Sequence, residues 1–74
     1  MKLVNLCGPR VREARIQLSW DQVELSVAIF AQSNVKIEQS DISEIERQAR
    51  GVRDFELKAL ALALDVSVGW LLGD

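Results

Sequence analysis

The side chains of this 74-residue chain that could do chemistry are charged and amide groups rather than nucleophiles. Arg47, Arg50 and Arg53 follow one another at every third position and form a cluster of positive charge. Histidine is absent and Cys7 is the only cysteine, so neither a Cys/His zinc site nor an intramolecular disulfide can form. A Gly-rich phosphate loop and a nucleophile paired with a base are also lacking. We therefore expect no enzyme, no cofactor and no metal, and a structural role for Cys7 in the core.

The distribution of charge is more informative than its sum. The net charge of −2 weighs against a nucleic-acid-binding protein, in which a basic face is usual. Residues 1–20 nevertheless carry four basic side chains against Glu13 alone, whereas residues 21–46 carry six acids against Lys36 alone. Residues 47–74 hold four charges of each sign, including the three arginines. Basic charge therefore lies on both sides of an acidic middle.

The helices that must position these groups are marked by four apolar pairs. In each pair the second apolar residue lies five positions after the first. This is the spacing of the hydrophobic staple, in which the chain entering a helix packs on the first helical turn. The residue just inside each pair is polar, and Asp21 with Glu24 forms an Asp variant of the capping box. The pairs are Trp20/Leu25, Ile37/Ile42, Val52/Leu57 and Val66/Leu71, with Asp21, Glu38, Arg53 and Ser67 as the corresponding N-cap residues.

The pattern predicts one all-α domain of five short helices, at about 9–17, 22–30, 39–48, 54–64 and 68–72. Pro9 suits the first turn of helix 1, where its missing N–H has no intrahelical partner. A polar break is expected over 31–36, and Gly51 marks the loop after helix 3. Helix 4, rich in leucine and alanine, should be the most buried element. The residues expected to face the core from the first three helices are Val11, Ala14, Leu18, Leu25, Ile29, Ile42 and Ile45.

The compartment is predicted from three features of the chain. Its first residues hold too short an apolar run for a signal peptide, and no stretch is long enough to span a bilayer. A single cysteine fits a reducing environment. We expect a cytoplasmic protein that does not interact with membranes.

Five segments resemble motifs of the Cro/repressor-type helix-turn-helix family, also called the XRE family, and they occur in the family's order. The likeness covers about residues 6–73. It implies a compact, lambda-repressor-like DNA-binding domain of bacterial or phage type, in which helices 2 and 3 form the helix-turn-helix. The segments are GPRVREAR at 8–15, DQVEL at 21–25, ISEIER at 42–47, DFEL at 54–57, and ALALDVSV at 61–68 with LL at 71–72.

By position, the resemblance implies that helix 3 lies in the DNA major groove and that Gln39, Ser40 and Glu44 read bases. Glutamine pairs with adenine through N6 and N7, glutamate accepts from cytosine N4, and serine tolerates several bases. The alternative for each is a solvated position on the helix surface, and for Glu44 the two interpretations stay open.

Contacts to the DNA backbone follow from the same positional comparison. The resemblance implies that Gln22 meets a phosphate at the start of helix 2, where helix-terminal amides favour an anion. For each arginine the alternative is a solvated surface charge. The set of expected phosphate contacts is Arg10, Gln22, Ser43, Arg47, Arg50 and Arg53. The related proteins also pair the residues matching Arg15 and Glu46, which implies a structural ion pair from helix 1 to helix 3.

Four departures from the family pattern concern the helix ends, one connection and the charge of helix 3. Ser19 and Gln48 stand where glycine is common, and the connection between helices 2 and 3 is longer than the usual tight turn. Glu38 and Arg53 are unusual N-cap residues, and Ser40 is an alternative cap for helix 3. Helix 3 is acidic for an element that faces phosphates, since it carries Glu38, Asp41, Glu44 and Glu46.

Two functions are therefore expected. The first is a sequence-specific transcriptional regulator, a repressor, that binds double-stranded DNA as two copies on a pseudo-palindromic operator. The alternative is a helix-turn-helix domain repurposed as a protein–protein interaction module, which would bind a basic partner through its acidic helix 3 and would not bind DNA. A homodimer would use Trp70, Leu71 and Leu72, although Trp70 could instead close the core.

Overall fold

Four of the five helices start where the apolar pairs predict. The computed structural model describes residues 2–74, and over that range it contains five α-helices and no strand. The predicted all-α, five-helix fold is confirmed. The molecule measures 32 × 25 × 23 Å along its principal axes. The helices are α1 (Gly8–Gln17), α2 (Gln22–Ser33), α3 (Gln39–Glu46), α4 (Asp54–Leu64) and α5 (Val68–Leu71).

The four predicted N-cap residues are the N-caps of α2 to α5. Asp21 Oδ1 accepts from the Glu24 N–H at 2.7 Å, and Glu24 Oε1 accepts from the Asp21 N–H at 2.8 Å, which completes the predicted capping box. Ser67 Oγ accepts from the Trp70 N–H at 2.9 Å. Both residues of each apolar pair are buried or pack against the core, so the pairs mark helix starts as predicted.

The helices α3 and α4 begin without a capping side chain at the N-cap itself. The acid at the third helical position accepts the N-cap N–H instead. Asp41 Oδ2 accepts from the Glu38 N–H at 3.1 Å, and Glu56 Oε1 accepts from the Arg53 N–H at 3.0 Å. Ser40, the alternative cap, lies inside α3 and is exposed, so that alternative is wrong.

Three helices end at different residues from those predicted, α5 by a single residue, at Leu71. The helix α2 continues past residue 30 to Ser33 and stops at Asn34, whose left-handed backbone (φ 60°) ends it. The polar break is therefore shorter than expected, because Ala31 and Gln32 are compatible with helix. The helix α3 stops at Glu46 rather than at residue 48, because Gln48 has φ 61°.

The chain takes left-handed backbone just after the ends of α1 and α3. Ser19 and Gln48 both have φ 61°, a conformation that favours glycine. Gln48 is anchored there by its side chain, whose Nε2 donates to the Asn5 carbonyl at 3.0 Å. The turns after α1 and α3 thus keep a glycine-like path with other residues.

The core lies around α4, which packs most extensively on α2 and is the most buried helix, as predicted. Its buried apolar residues are Ala59, Leu60, Ala61, Ala63 and Leu64. Cys7 is buried, and Trp20 and Trp70 are half-buried against the core. Leu18 is 40% exposed because α1 ends just before it, so its predicted place in the core is wrong. Leu71 is fully buried, which removes it from any dimer surface.

Candidate functional site

A chain of hydrogen bonds joins the starts of α2 and α3 to the ion pair between α1 and α3. Gln39 Nε2 donates to Gln22 Oε1 at 2.7 Å, and Gln22 Nε2 donates to Glu46 Oε1 at 3.1 Å. Glu46 in turn accepts two bonds from Arg15, at 2.7 and 3.0 Å. Arg15 completes the chain by donating from Nη1 to the Trp20 carbonyl at 2.8 Å. Four side chains from three helices are thereby held in one arrangement.

The Arg15–Glu46 ion pair implied by the resemblance is present and shielded from water. The side chains are 12% and 3% exposed respectively. Hydrogen bonding to Glu46, reinforced by its charge, raises the pKa of Arg15 above its ordinary value. Both carboxylate oxygens are engaged, which satisfies the charge that burial would otherwise penalise. The pair fixes the position of α3 against α1.

The charge on Glu46 also sets the orientation of two amides. A carboxylate only accepts hydrogen bonds, so Gln22 must turn its NH₂ group toward Glu46. Its carbonyl oxygen then faces Gln39 and accepts from it. Within residues 2–74, the carbonyl oxygen and the second N–H of Gln39 have no partner, and the side chain is exposed. An acceptor and a donor are thus presented side by side at an open depression of about 390 Å³ lined by Arg15, Asp21, Gln22, Val23 and Gln39.

The outer face of α3 carries most of the remaining predicted contact residues. Ser40, Ser43, Glu44 and Arg47 follow the three- and four-residue spacing of one helix face. All are exposed except Ser43, which is half-buried, and Arg47 Nε donates to the Ser43 carbonyl at 3.3 Å. Arg53, at the N-cap of α4, is also exposed.

The acidic character of α3 is largely compensated by cations. Glu46 pairs with Arg15, Asp41 lies 3.6 Å from Arg50 Nε, and Glu38 lies 3.6 Å from Lys36. Among the residues that the structure describes, Glu44 is the acid of this group without an ion-pair partner. The face is therefore less negative than the sequence suggests, with Arg50 shared between Asp41 and Glu56.

Arg10 is engaged elsewhere in the fold. Its guanidinium carbon lies 4.6 Å from the ring centroid of Trp70, and its Nη1 donates to the Trp70 carbonyl at 3.1 Å. A cation stacked on an aromatic face and bonded to a carbonyl is held in place. Arg10 thus links α1 to α5 rather than standing free for a phosphate.

Arg50 is likewise engaged, in an ion pair that sequence reasoning missed. Its Nη1 and Nη2 donate to the two carboxylate oxygens of Glu56 at 3.0 and 2.8 Å. Hydrogen bonding from Arg50 is the main cause that lowers the pKa of Glu56. The available signal was Glu56 at the third position of a helix whose N-cap, Arg53, has no acceptor atom.

The end of α3 is held by the N-terminal segment, through Asn5, which the sequence analysis also missed. Asn5 Nδ2 donates to the carbonyls of Ile45 and Arg50 at 3.1 and 2.8 Å, and its Oδ1 accepts from the Gly8 N–H at 2.9 Å. A Cβ at Gly8 would lie 2.3 Å from the Ile45 carbonyl oxygen, so only glycine allows this close approach. The helix α3 is therefore anchored at its start through Gln39 and at its end through Ile45 and Glu46.

A second surface feature lies along α2. Val23, Val27 and Phe30 are exposed at helical spacing, and an apolar groove of about 360 Å³ runs between residues 26–31 of α2 and residues 36–38. Contiguous exposed apolar surface is a common mark of interaction sites.

Comparison with known proteins finds no family model that matches the chain and no curated protein that matches it. In the described part of the chain, each helix is too short or too polar to cross a lipid bilayer.

Proposed function

We propose that the chain is a sequence-specific DNA-binding regulator of the Cro/repressor type, in which α2 and α3 form the helix-turn-helix and α3 enters the major groove. The observation that carries the proposal is the hydrogen-bonded chain from Arg15 through Glu46 and Gln22 to Gln39. It holds an exposed amide in one orientation where α2 and α3 begin side by side. A rigid exposed amide is suited to reading a base edge.

Base recognition would come from the start and outer face of α3. The free acceptor and donor of Gln39 match the N6–H and N7 positions of adenine. Ser40 lies beside it and can donate or accept. Glu44, whose charge is uncompensated, accepts from cytosine N4 and repels the O6 and N7 acceptors of guanine.

Phosphate contacts would come from Gln22 and the first-turn N–H groups of α2, together with Ser43, Arg47 and Arg53. Arg10 and Arg50, which the sequence placed in this set, are occupied by Trp70 and Glu56. With so few free cations, the affinity should depend on salt less steeply than that of a basic DNA-binding protein.

Two copies would bind a pseudo-palindrome with half-sites about 10 bp apart, and would repress by covering promoter DNA in the cytoplasm of a bacterium or in a phage-infected cell. With Leu71 in the core, a contact between copies through α5 would use Trp70 and Leu72.

The test is selection of bound duplexes from a randomised pool, at low and at physiological salt, with wild type, Gln39→Ala and Gln32→Ala. Wild type should enrich a two-fold symmetric motif. Gln39→Ala should lower the discrimination between bases at one position of each half-site by about 1–3 kcal/mol. Gln32 is an exposed glutamine near the end of α2 and serves as the matched control, so its variant should behave as wild type. No enrichment at either salt would contradict the proposal.

The second candidate function, a protein–protein interaction module, is favoured by the exposed apolar side chains of α2. Charge reversal separates the two functions. Arg47→Glu with Arg53→Glu should abolish DNA binding while leaving the binding of a protein partner on α2 intact. Arg50 is left unchanged in this test because its reversal would break the pair with Glu56.

A further inference from the structure

The helices α3 and α4 share an unusual way of starting. Their N-cap residues, Glu38 and Arg53, make no capping side-chain bond, and the cap is supplied by Asp41 and Glu56 from inside the helices. A carboxylate in the first turn is favoured by the helix dipole, but it must be held in the geometry that reaches back to the N-cap N–H.

One guanidinium lies between these two carboxylates, hydrogen-bonded to Glu56 and within ion-pair distance of Asp41. Arg50 Nη1 and Nη2 donate to Glu56, and Arg50 Nε faces Asp41 Oδ1 at 3.6 Å. Nη1 also donates to the Gly51 carbonyl at 2.7 Å, and the Arg50 carbonyl accepts from Asn5 at 2.8 Å. The residue is therefore tied to the fold through its side chain and its backbone.

We propose that Arg50 is a positioning residue, which aligns the starts of α3 and α4 by bridging the two capping carboxylates, and that it does not contact DNA phosphate. The inference rests on the proposed DNA-binding function, because it makes Arg50 responsible for the position of the first turn of α3, from which bases would be read. Gln39 and Ser40 lie in the same first turn as Asp41, so a shift of that carboxylate moves them relative to a bound base.

A phosphate contact and a positioning residue leave different signatures in DNA binding. Loss of a phosphate contact weakens binding to all sequences alike and lowers the salt slope by about 1. Loss of a positioning residue lowers the discrimination between sequences and leaves the salt slope unchanged, because no counterion is released through that residue.

The experiment compares Arg50→Gln with Arg47→Gln, a matched control at a neighbouring exposed arginine. Affinities are measured over a salt series for the selected site, for the site changed at the base opposite Gln39, and for unrelated duplex. For Arg50→Gln we expect the preference for the selected site to fall about tenfold at an unchanged slope, whereas Arg47→Gln should lower the slope by about 1 and keep the preference. A lowered slope with intact preference in Arg50→Gln would overturn the inference.

A second variant separates the role of the bridge from the charge of Arg50. Glu56→Gln keeps every arginine but weakens the bridge, and we expect it to lose preference in the same direction as Arg50→Gln. Full preference in Glu56→Gln would contradict the positioning role.

A readout without DNA keeps the two proposals distinguishable. The Ile42 and Leu57 N–H groups make the first backbone bonds of α3 and α4, to the carbonyls of Glu38 and Arg53 at 3.0 and 2.9 Å. In Arg50→Gln their hydrogen exchange should speed up about tenfold more than that of Leu25 N–H, which makes the equivalent first backbone bond of α2, to the Asp21 carbonyl at 3.2 Å, and serves as the reference for local opening of a helix start. Equal acceleration at all three would overturn the inference. If wild type shows no sequence preference, the DNA-binding proposal fails and the exchange rates alone decide the role of Arg50.

Discussion

Two arginine–glutamate pairs with nearly the same hydrogen-bond distances differ in what they connect. Arg15 reaches Glu46 at 2.7 and 3.0 Å, and Arg50 reaches Glu56 at 2.8 and 3.0 Å. The first pair joins residues 31 positions apart and its side chains are 12% and 3% exposed. The second joins residues 6 positions apart and its side chains are 26% and 8% exposed.

The difference shows that the role of an ion pair depends on the elements it connects and on its access to water. Arg15–Glu46 fixes one helix against another and orients the amides of Gln22 and Gln39, so its loss disturbs tertiary structure. Arg50–Glu56 joins the loop between α3 and α4 to the first turn of α4. A buried pair leaves a stranded charge when one partner is removed, whereas a more exposed arginine can turn to water.

The largest effect should come from breaking the buried pair. We expect Glu46→Ala to lower the free energy of unfolding by about 3 kcal/mol, the lower end for a buried pair, because Arg15 keeps some access to water. The melting temperature should then fall by more than about 12 °C. Thermal unfolding followed by circular dichroism measures this, with Glu44→Ala as the control on the exposed face of the same helix. A melting curve equal to that of wild type would show that the pair has no structural role.

A smaller effect is expected from breaking the second pair. Glu56→Ala removes two charge-assisted bonds and the cap on the Arg53 N–H, but it leaves Arg50 able to reach solvent. We expect a loss of about 1–2 kcal/mol by urea unfolding with an unchanged m-value. The control is Glu13→Ala, at an exposed acidic position of α1. Asp65 is exposed as well, but alanine would be strained in its left-handed backbone, so it is not used as the control. A larger loss in the free energy of unfolding for Glu56→Ala than for Glu46→Ala would show that the more exposed pair contributes more to stability, contrary to this comparison.

The sequence predicted the parts of the fold that depend on local spacing. The apolar pairs and polar N-cap positions lie within six residues of each other, so they identified the start of each helix from α2 to α5. The end of α2 was missed because Ala31 and Gln32, assigned to the polar break, are compatible with helix, and the helix ends only where Asn34 takes left-handed backbone.

In the candidate site, the contact partner of a side chain could be predicted only where the resemblance supplied it by position. The Arg15–Glu46 pair came from that resemblance. The partners of Arg50 and Asn5 depend on the path of the α3–α4 loop and on contacts across 40 and 45 residues, which no local pattern encodes. An arginine in a sequence is equally compatible with a phosphate, a carboxylate or water, so its role is decided by tertiary placement.

The smallest predicted effect is a pH dependence specific to the second pair. Arg50 lowers the pKa of Glu56 below its ordinary value of about 4.3, so the charged carboxylate stabilises the fold. That contribution is complete above pH of about 4.3 and is lost as the pH falls through the lower, folded-state pKa. Wild type should therefore melt a few degrees higher than Glu56→Gln at pH 7, and the gap should close on acidification. Glu13→Gln, at an exposed position of α1, should show no such closing gap. A gap that stays constant down to pH of about 2 would mean that Glu56 contributes through packing and its cap rather than through its charge on Arg50.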